Sequence, residues 1–193
     1  MKLDGEPGPE WRRCVGICLI NADGMAWGAK RVGEKENVWQ MPQGGIDEGE
    51  EPLAAARREL YEETGIKEEL VELVMEHPNW LAYEFPADIK LKRKWLEKFR
   101  GQAQRWYLFR FKVRLRLVVR GLVRTRATHA PFPRRPQGSD SDVDISGLGG
   151  EPPEFAEWRW MSFAELESTV IDWKREVYTE AFGTFSEHSD VRA

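Results

Sequence analysis

The stretch that decides the fold runs from residue 44 to residue 66 and reads Gly-Gly-Ile-Asp-Glu-Gly-Glu-Glu-Pro-Leu-Ala-Ala-Ala-Arg-Arg-Glu-Leu-Tyr-Glu-Glu-Thr-Gly-Ile. It predicts a helix from Pro52 to about Thr64, because proline suits the first helical position, alanine favours helix and Gly65 suits the stop. The glycines ahead of Pro52 let the backbone turn sharply. The stretch therefore predicts a loop, a helix and a second loop.

Three glutamates near the end of this helix carry the chemistry. Glu59, Glu62 and Glu63 are three and four residues apart, so their side chains project from one helical face. Like charges repel there, and the helix macrodipole disfavours anions at this end. One interpretation is a solvated acidic face. The other is a ligand set for a divalent cation, since hard cations take oxygen ligands. The neighbouring glycines favour the second, because they let a backbone carbonyl join the carboxylates.

The spacing of the whole stretch resembles the Nudix box. The fixed positions of that motif are met at Gly44, Glu50, Arg58, Glu59, Leu60, Glu62, Glu63, Gly65 and Ile66. The chain is therefore identified as similar to the Nudix hydrolase family. This resemblance implies the α/β fold class: an α/β/α sandwich with a mixed sheet, in which the box forms a loop–helix–loop catalytic motif.

Further segments resemble one subgroup of that family, the plant-type diadenosine tetraphosphate hydrolases and bacterial RNA pyrophosphohydrolases. These segments are residues 39–47, 79–83, 101–107 and 153–160. The resemblance implies metal-dependent hydrolysis of phosphoanhydride bonds, with asymmetric cleavage of diadenosine tetraphosphate to ATP and AMP as the leading expectation. Removal of pyrophosphate from RNA 5′ ends is the alternative. A non-catalytic nucleotide-binding module is a third interpretation, disfavoured because the three box glutamates are present.

The resemblance also assigns metal ligands and catalytic residues. It implies that Glu59, Glu62, Glu63 and Glu154 hold Mg²⁺, with Mn²⁺ as an alternative. Glu62, Glu63, Glu154 and Arg58 are the expected catalytic residues; Arg58, together with Glu50, orients the ligands. Glu154 is also expected to position or deprotonate water, and its alternative interpretation is an ordinary loop acid after two prolines.

Four cationic residues and two aromatic residues are candidates for binding the substrate. Arg31, Arg105, Lys174 and Arg175 are expected to contact phosphates, and each is alternatively an ordinary surface cation. Tyr83, like Trp80, is a candidate for stacking on adenine, although aromatic side chains in strands commonly belong to the core. The expected partner is a nucleotide polyphosphate, with RNA 5′ ends as the alternative and no membrane; the oligomeric state stays open.

Composition and charge separate one segment from the rest. The net charge is −4, but Lys112–Ser139 holds eight basic and no acidic residues, leaving 21 basic against 33 acidic residues elsewhere. An acidic body does not suit broad contact with a nucleic-acid backbone. The expected organisation is a flexible N-terminus over 1–10, one domain over 11–186 with an insertion at 112–141, and a tail over 187–193. A basic nucleic-acid-binding arm is the alternative interpretation of the insertion.

The remaining elements follow from hydrophobic patterning and turn residues. The strands are predicted at 14–20, 25–31, 72–76, 80–85, 104–113 and 155–161, and two more helices at 163–168 and 172–182. Cys14 and Cys18 are predicted to be buried thiols. There is no apolar run of the ~20 residues that a membrane span needs, and the acidic start resembles neither a secretory signal nor a transit peptide. The expected location is the cytoplasm.

Overall fold

The computed structural model describes residues 1–34, 36–87, 94–112, 139–148 and 152–188. The strands are β1 (Lys2–Leu3), β2 (Trp11–Ile20), β3 (Ala26–Arg31), β4 (Gln43–Gly45), β5 (Val71–Glu76), β6 (Trp80–Glu84), β7 (Gly101–Phe111) and β8 (Phe155–Met161). The helices are α1 (Pro52–Thr64), α2 (Phe163–Thr169) and α3 (Asp172–Phe185). Within these described ranges, three short 3₁₀ helices lie at Glu68–Leu70, Lys94–Leu96 and Asp140–Asp142.

The strands form one mixed sheet in the order β1-β6-β7-β2-β3-β8, with β4 pairing β2 and β5 pairing β7. Its central pair is β2 and β7, which run parallel from Trp11 opposite Gly101 to Ile20 opposite Arg110. Every other pairing between these strands is antiparallel. The mixed sheet predicted for this chain is confirmed.

Helices cover both faces of the sheet, as the alternating directions of the buried side chains along β2 show. Val15, Ile17 and Leu19 point to the face that α1 covers, whereas Cys18 and Ile20 point to the face that α3 covers. Successive side chains of a strand lie on opposite faces, so a strand covered on both sides reads as continuously apolar. The α/β/α sandwich is therefore confirmed. The two cysteines are buried free thiols, as predicted.

Helix α1 has the bounds that the sequence predicted. Pro52 occupies the first helical turn, and Gly65 ends the helix in the left-handed conformation at φ 72°. The Gly65 N–H donates to the carbonyl of Tyr61 at 2.8 Å, which closes the last turn. Ala55, Ala56 and Leu60 are buried against the sheet. Of the glutamates on α1, Glu63 is buried with these residues, whereas Glu62 is exposed.

The first ten residues differ from the loose end that the sequence predicted. Lys2 and Leu3 pair with β6, and the terminal ammonium of Met1 donates to the Ala82 carbonyl at 2.8 Å. Strand β4 was also missed, because its glycine-rich sequence resembles a loop. Both strands exist through pairing with residues distant in the chain, which a local pattern does not reveal.

The predicted insertion lies almost wholly outside the described residues, as do residues 189–193 of the predicted tail. Its boundaries are described: the Lys112 N–H donates to the Leu70 carbonyl at 2.8 Å. On the other side, Trp160 Nε1 donates to Asp140 Oδ1 at 2.9 Å. Both boundary residues are thus tied to the folded domain.

Candidate active site

Two cavities adjoin beside the glutamate face of α1. The inner cavity, of about 410 Å³, is lined by Gln43, Gly44, Tyr83, Gln102, Trp173 and Lys174 among others. The outer cavity, of about 910 Å³, is lined by Val32, Tyr61, Glu62, Glu63, Leu148 and Pro153 among others. Three residues line both: Arg31, Glu59 and Glu154. A chain of phosphates lying across these shared residues would reach into both cavities.

The Arg58 guanidinium organises the carboxylates at this junction. Its Nε and Nη2 donate to the two carboxylate oxygens of Glu50, each at 2.9 Å. Its Nη1 donates to Glu59 at 2.8 Å and to Glu62 at 3.1 Å, and Nη2 also donates to the Gly45 carbonyl at 2.8 Å. The hydrogen bond from Arg58 lowers the pKa of the Glu50 carboxyl. The planar, multidentate guanidinium thus links the loop before α1 to two of its glutamates.

Glu59 lies against the backbone of Gly44. A Cβ at Gly44 would lie 1.9 Å from Glu59 Cδ, so only glycine allows this approach. Burial raises the pKa of Glu59, and the hydrogen bond from Arg58 acts in the opposite direction. The loop before α1 therefore packs directly against the Glu59 carboxylate of the helix.

Glu63 is the most buried of the box glutamates, with 7% of its surface exposed. Its Oε2 accepts a hydrogen bond from the Gln43 N–H at 3.0 Å. Burial raises the pKa of Glu63 well above its ordinary value, and the nearby Glu154 carboxylate raises it further. Glu154 forms an ion pair with Arg31. The structure thus brings Glu154, nearly a hundred residues later in the chain, to the glutamates of α1.

The chemistry of this donor set fits a hard divalent cation. Glu59, Glu62, Glu63 and Glu154 all line the outer cavity, and carboxylate oxygens are the ligands that Mg²⁺ and Mn²⁺ take. Among the described residues, no three His, Cys, Asp or Glu side chains already converge at ligand distances. Arg58 and Arg31 hold three of these four carboxylates as ion pairs, which offsets the mutual repulsion of the carboxylates. A cation would compete with both guanidinium groups.

Lys174 is the buried cation of the inner cavity. It is 5% exposed, and its Nζ donates to Gln43 Oε1 at 3.0 Å. The ammonium lies 5.3 Å from the ring centroid of Trp173 and 5.9 Å from that of Tyr83. Burial lowers the pKa of Lys174 to about 8, and the charge of Arg31 contributes. Burial disfavours the charged form of Lys174, so an anionic group that entered the cavity would stabilise the ammonium group.

Not every predicted substrate-binding residue lines one of these two cavities. Arg31, Tyr83 and Lys174 line the inner cavity. Arg105 instead pairs with Glu76, and Arg175 pairs with Asp172 at 2.7 Å; neither lines the inner or the outer cavity. Trp80, weighed with Tyr83 as a stacking residue, is also absent from both linings and is buried in a separate cluster.

Other lining residues were not singled out from the sequence. Gln43 links three parts of the site: its N–H binds Glu63, and its side-chain oxygen accepts from Lys174 and, at 3.1 Å, from Gln104. Its position directly before the box was the available signal. Trp173 could have been noted as the aromatic neighbour of Lys174. Val32 and Tyr61 carried no signal, because a single apolar residue in a polar stretch has no pattern.

Comparison with known proteins agrees with this architecture. The model of the NUDIX domain matches residues 10–181. The chain is 40% identical over 178 residues to an RNA pyrophosphohydrolase of Cereibacter sphaeroides, covering 92% of each chain. It is 38% identical over 186 residues to Nudix hydrolase 26, chloroplastic, of Arabidopsis thaliana, covering 95% of this chain and 73% of that relative. A C. elegans Ap4A hydrolase in a binary complex has a similar fold, with a TM-score of 0.55, 15% identity and coverage of 92% and 98%.

An α/β/α sandwich with a glutamate-rich loop–helix–loop motif defines a hydrolase class that acts on pyrophosphate bonds with divalent metal ions. The chain belongs to the Nudix family of hydrolases. Within the described residues, no helix is long and apolar enough to cross a membrane.

Proposed function

We propose that this chain removes pyrophosphate from the 5′ end of triphosphorylated RNA. The observation that carries the proposal is the 40% identity, along 92% of both chains, to a protein named RNA pyrophosphohydrolase. This reverses the order expected from the sequence, where the acidic composition favoured diadenosine tetraphosphate. Net charge is a property of the whole surface, whereas an RNA 5′ end requires only a local cationic site, and Arg31 with Lys174 supplies one.

The carboxylates at the junction of the cavities would hold the divalent cations, for which we propose Mg²⁺, with Mn²⁺ as an alternative. The ligands would be Glu59, Glu62, Glu63 and Glu154. When bound, such cations neutralise phosphate charge and lower the pKa of bound water. Without them, the acidic junction would repel a polyphosphate chain.

The protein's own residues orient this set. Arg58 holds Glu59 and Glu62 through its two hydrogen bonds, and its bidentate contact with Glu50 fixes the guanidinium itself. The backbone N–H of Gln43 orients Glu63. Glu154 approaches from a different element and pairs with Arg31, so we assign it the positioning of the attacking water. Small displacements of such groups cost rate, because the reacting atoms must be held in line.

The terminal nucleotide would lie in the inner cavity. Arg31 lines both cavities, so its guanidinium is placed to contact the phosphates that cross between them. Lys174 would supply a second positive charge, and the ring of Trp173 would contact the base or the ribose. Tyr83 shapes the cavity wall: its hydroxyl is already bonded to Gln102, and its ring packs against Trp173 at a centroid separation of 5.0 Å.

Asymmetric hydrolysis of diadenosine tetraphosphate to ATP and AMP is the second candidate. The observation that favours it is the outer cavity, which extends beyond the carboxylates and is larger than the inner one. A substrate that ends in a free phosphate has no group large enough to fill it. Both candidates use the same carboxylates, so only substrate comparison separates them.

The test is hydrolysis of both substrates side by side with Mg²⁺. We expect kcat/KM to be higher for triphosphorylated RNA, with pyrophosphate and 5′-monophosphorylated RNA as products. For diadenosine tetraphosphate, chromatography of early products is expected to show ATP and AMP. The same assays are run on Glu62→Gln, which removes one proposed metal ligand. Its matched control is Glu72→Gln, because Glu72 is an exposed glutamate that lines neither cavity. Triphosphorylated RNA left intact while the dinucleotide is cleaved would refute the RNA assignment, and ADP as the main early product would refute the asymmetric cleavage.

A further inference from the structure

Gln43 lies on a short strand with few local restraints. It begins β4, a strand of three residues that pairs with β2. Pro42 precedes it, and Gly44 and Gly45 follow it. A proline has no N–H to donate, and a glycine leaves the backbone dihedral angles permissive. The position of this strand therefore depends strongly on what the Gln43 side chain contacts.

Two donors from different elements hold the Gln43 side chain. Its Oε1 accepts from Lys174 Nζ on α3 at 3.0 Å and from Gln104 Nε2 on β7 at 3.1 Å. Lys174 is 5% exposed, and Gln104 is fully buried. A buried donor that loses its partner is costly, so both donors keep the amide oxygen in place. The side chain thereby connects β4 to α3 and to the centre of the sheet.

The main chain of the same residue contacts a proposed metal ligand. The Gln43 N–H donates to Glu63 Oε2 at 3.0 Å. Glu63 is buried, and a buried carboxylate depends on hydrogen bonds from the protein for its charge and its orientation. Burial lowers the pKa of Lys174, and the carboxylates of Glu63 and Glu154 act in the opposite direction. Lys174 and Glu63 are thus connected through Gln43 as well as through their charges.

We propose that Gln43 is a positioning residue of the metal site: Lys174 holds its side chain, and its N–H thereby keeps the Glu63 carboxylate in the orientation that binds a cation. This arrangement exists before any nucleotide enters. The proposal rests on the proposed function, in that Glu63 is a metal ligand. It gives Lys174 a second role, separate from contact with phosphates. Loss of a group that orients a metal ligand costs roughly 10- to 100-fold in metal affinity.

Two effects of Lys174 on metal affinity have opposite signs. Its positive charge acts on Glu63 and Glu154 and repels a bound cation, so removal of the charge alone should tighten cation binding. If Lys174 also holds Gln43, its removal should loosen the Glu63 carboxylate and weaken cation binding. Lys174→Met removes the charge and keeps an unbranched side chain. The direction of the change therefore separates positioning from electrostatics.

The test measures the dissociation constant of Mn²⁺ by calorimetry, on the full chain and without nucleotide. Gln43→Met removes the acceptor and keeps an unbranched side chain, and it is expected to raise this constant roughly 10- to 100-fold. Lys174→Met is expected to raise it as well. In the Gln43→Met background, Lys174→Met should weaken Mn²⁺ binding no further, because the connection is already broken. Thermal unfolding is recorded to verify that each variant is folded.

Two control variants carry the same substitutions outside this connection. Gln102→Met removes a buried glutamine of the inner cavity whose side-chain oxygen accepts from Tyr83. Lys30→Met removes a lysine that pairs with Glu157 and lines neither cavity. Both variants should keep the Mn²⁺ dissociation constant within about twofold of the parent value, the scatter usual for independent sites.

Tighter or unchanged Mn²⁺ binding in Lys174→Met would overturn the proposal, and so would an unchanged constant in Gln43→Met. If Gln102→Met weakens binding as much as Gln43→Met does, the loss reflects general packing and the proposal fails. Lys174→Met decides by the sign of its effect even if Gln43→Met does not fold. Because nucleotide is absent, intact RNA alongside the expected Mn²⁺ changes would refute the proposed function alone. A parent protein that binds no Mn²⁺ would refute the metal assignment and the proposal together.

Discussion

Replacing Gly44 by alanine tests whether Glu59 must lie against the loop of the motif. The added Cβ would lie 1.9 Å from Glu59 Cδ, whereas ordinary contact begins near 3.4 Å, so the carboxylate must move by about 1.5 Å. Gly44 does not have a positive φ, so the backbone accepts alanine and the effect is confined to the side chain. Misplacement of a reacting group by about 1 Å costs on the order of 10²-fold in rate. We expect kcat/KM to fall by about that factor or more.

Stability is expected to change much less than activity. Moving Glu59 weakens its hydrogen bond with Arg58, which costs about 1–2 kcal/mol in a partly exposed charged pair. Rates are measured across a titration of Mg²⁺, together with thermal unfolding. The matched control is Gly183→Ala in α3, where an added Cβ meets nothing within 4 Å and should stabilise the helix by about 0.5–1 kcal/mol. Near-normal kcat/KM and unchanged Mg²⁺ dependence in Gly44→Ala would refute the reasoning.

Three further predictions concern charge and chain organisation. Glu62→Gln and Glu63→Gln should remain folded by circular dichroism yet lose turnover steeply, because each loses a charged oxygen of the proposed metal set; near-normal turnover with Mg²⁺ would exclude these roles. The lowered pKa of Lys174, about 8, lies below the value of about 10.4 expected in the unfolded chain, so the unfolded state binds more protons between these values. The contribution of Lys174 to the unfolding free energy should therefore rise with pH from about 8 to about 10.4. Thermal unfolding of the parent protein and of Lys174→Met is compared across this range, and the stability difference between the two should change with that slope; a pH-independent difference would contradict the assignment. Replacing residues 113–138 by a short Gly-Ser linker should keep the fold and maintain or raise activity on diadenosine tetraphosphate, because long loops add little closure entropy; loss of folding or of nucleotide binding would show that the segment is integral.

Local chemistry made part of the site predictable. The box glutamates and Arg58 lie within one helix and its flanking loop, so their spacing alone placed Glu59, Glu62 and Glu63 on one face. The apolar strands and the bounds of α1 followed from equally local patterns. By contrast, Arg105 and Arg175 had the right charge for phosphate binding but lie elsewhere, because charge does not reveal which direction a side chain takes from its strand or helix.

The sequence by itself determined the family, the mixed α/β architecture and the helix that carries the carboxylates, because each depends on residues close together in the chain. Only the tertiary structure decided that Gln43 connects Lys174 to Glu63, and that Glu154 pairs with Arg31 above α1. The same holds for Val32 and Tyr61, which share a cavity though they are 29 residues apart. These contacts arise where β3, α1, α3 and the segment before β8 meet. The distances between these residues depend on the strand order of the sheet and on helix packing. The sequence pattern of a single segment does not predict either of them.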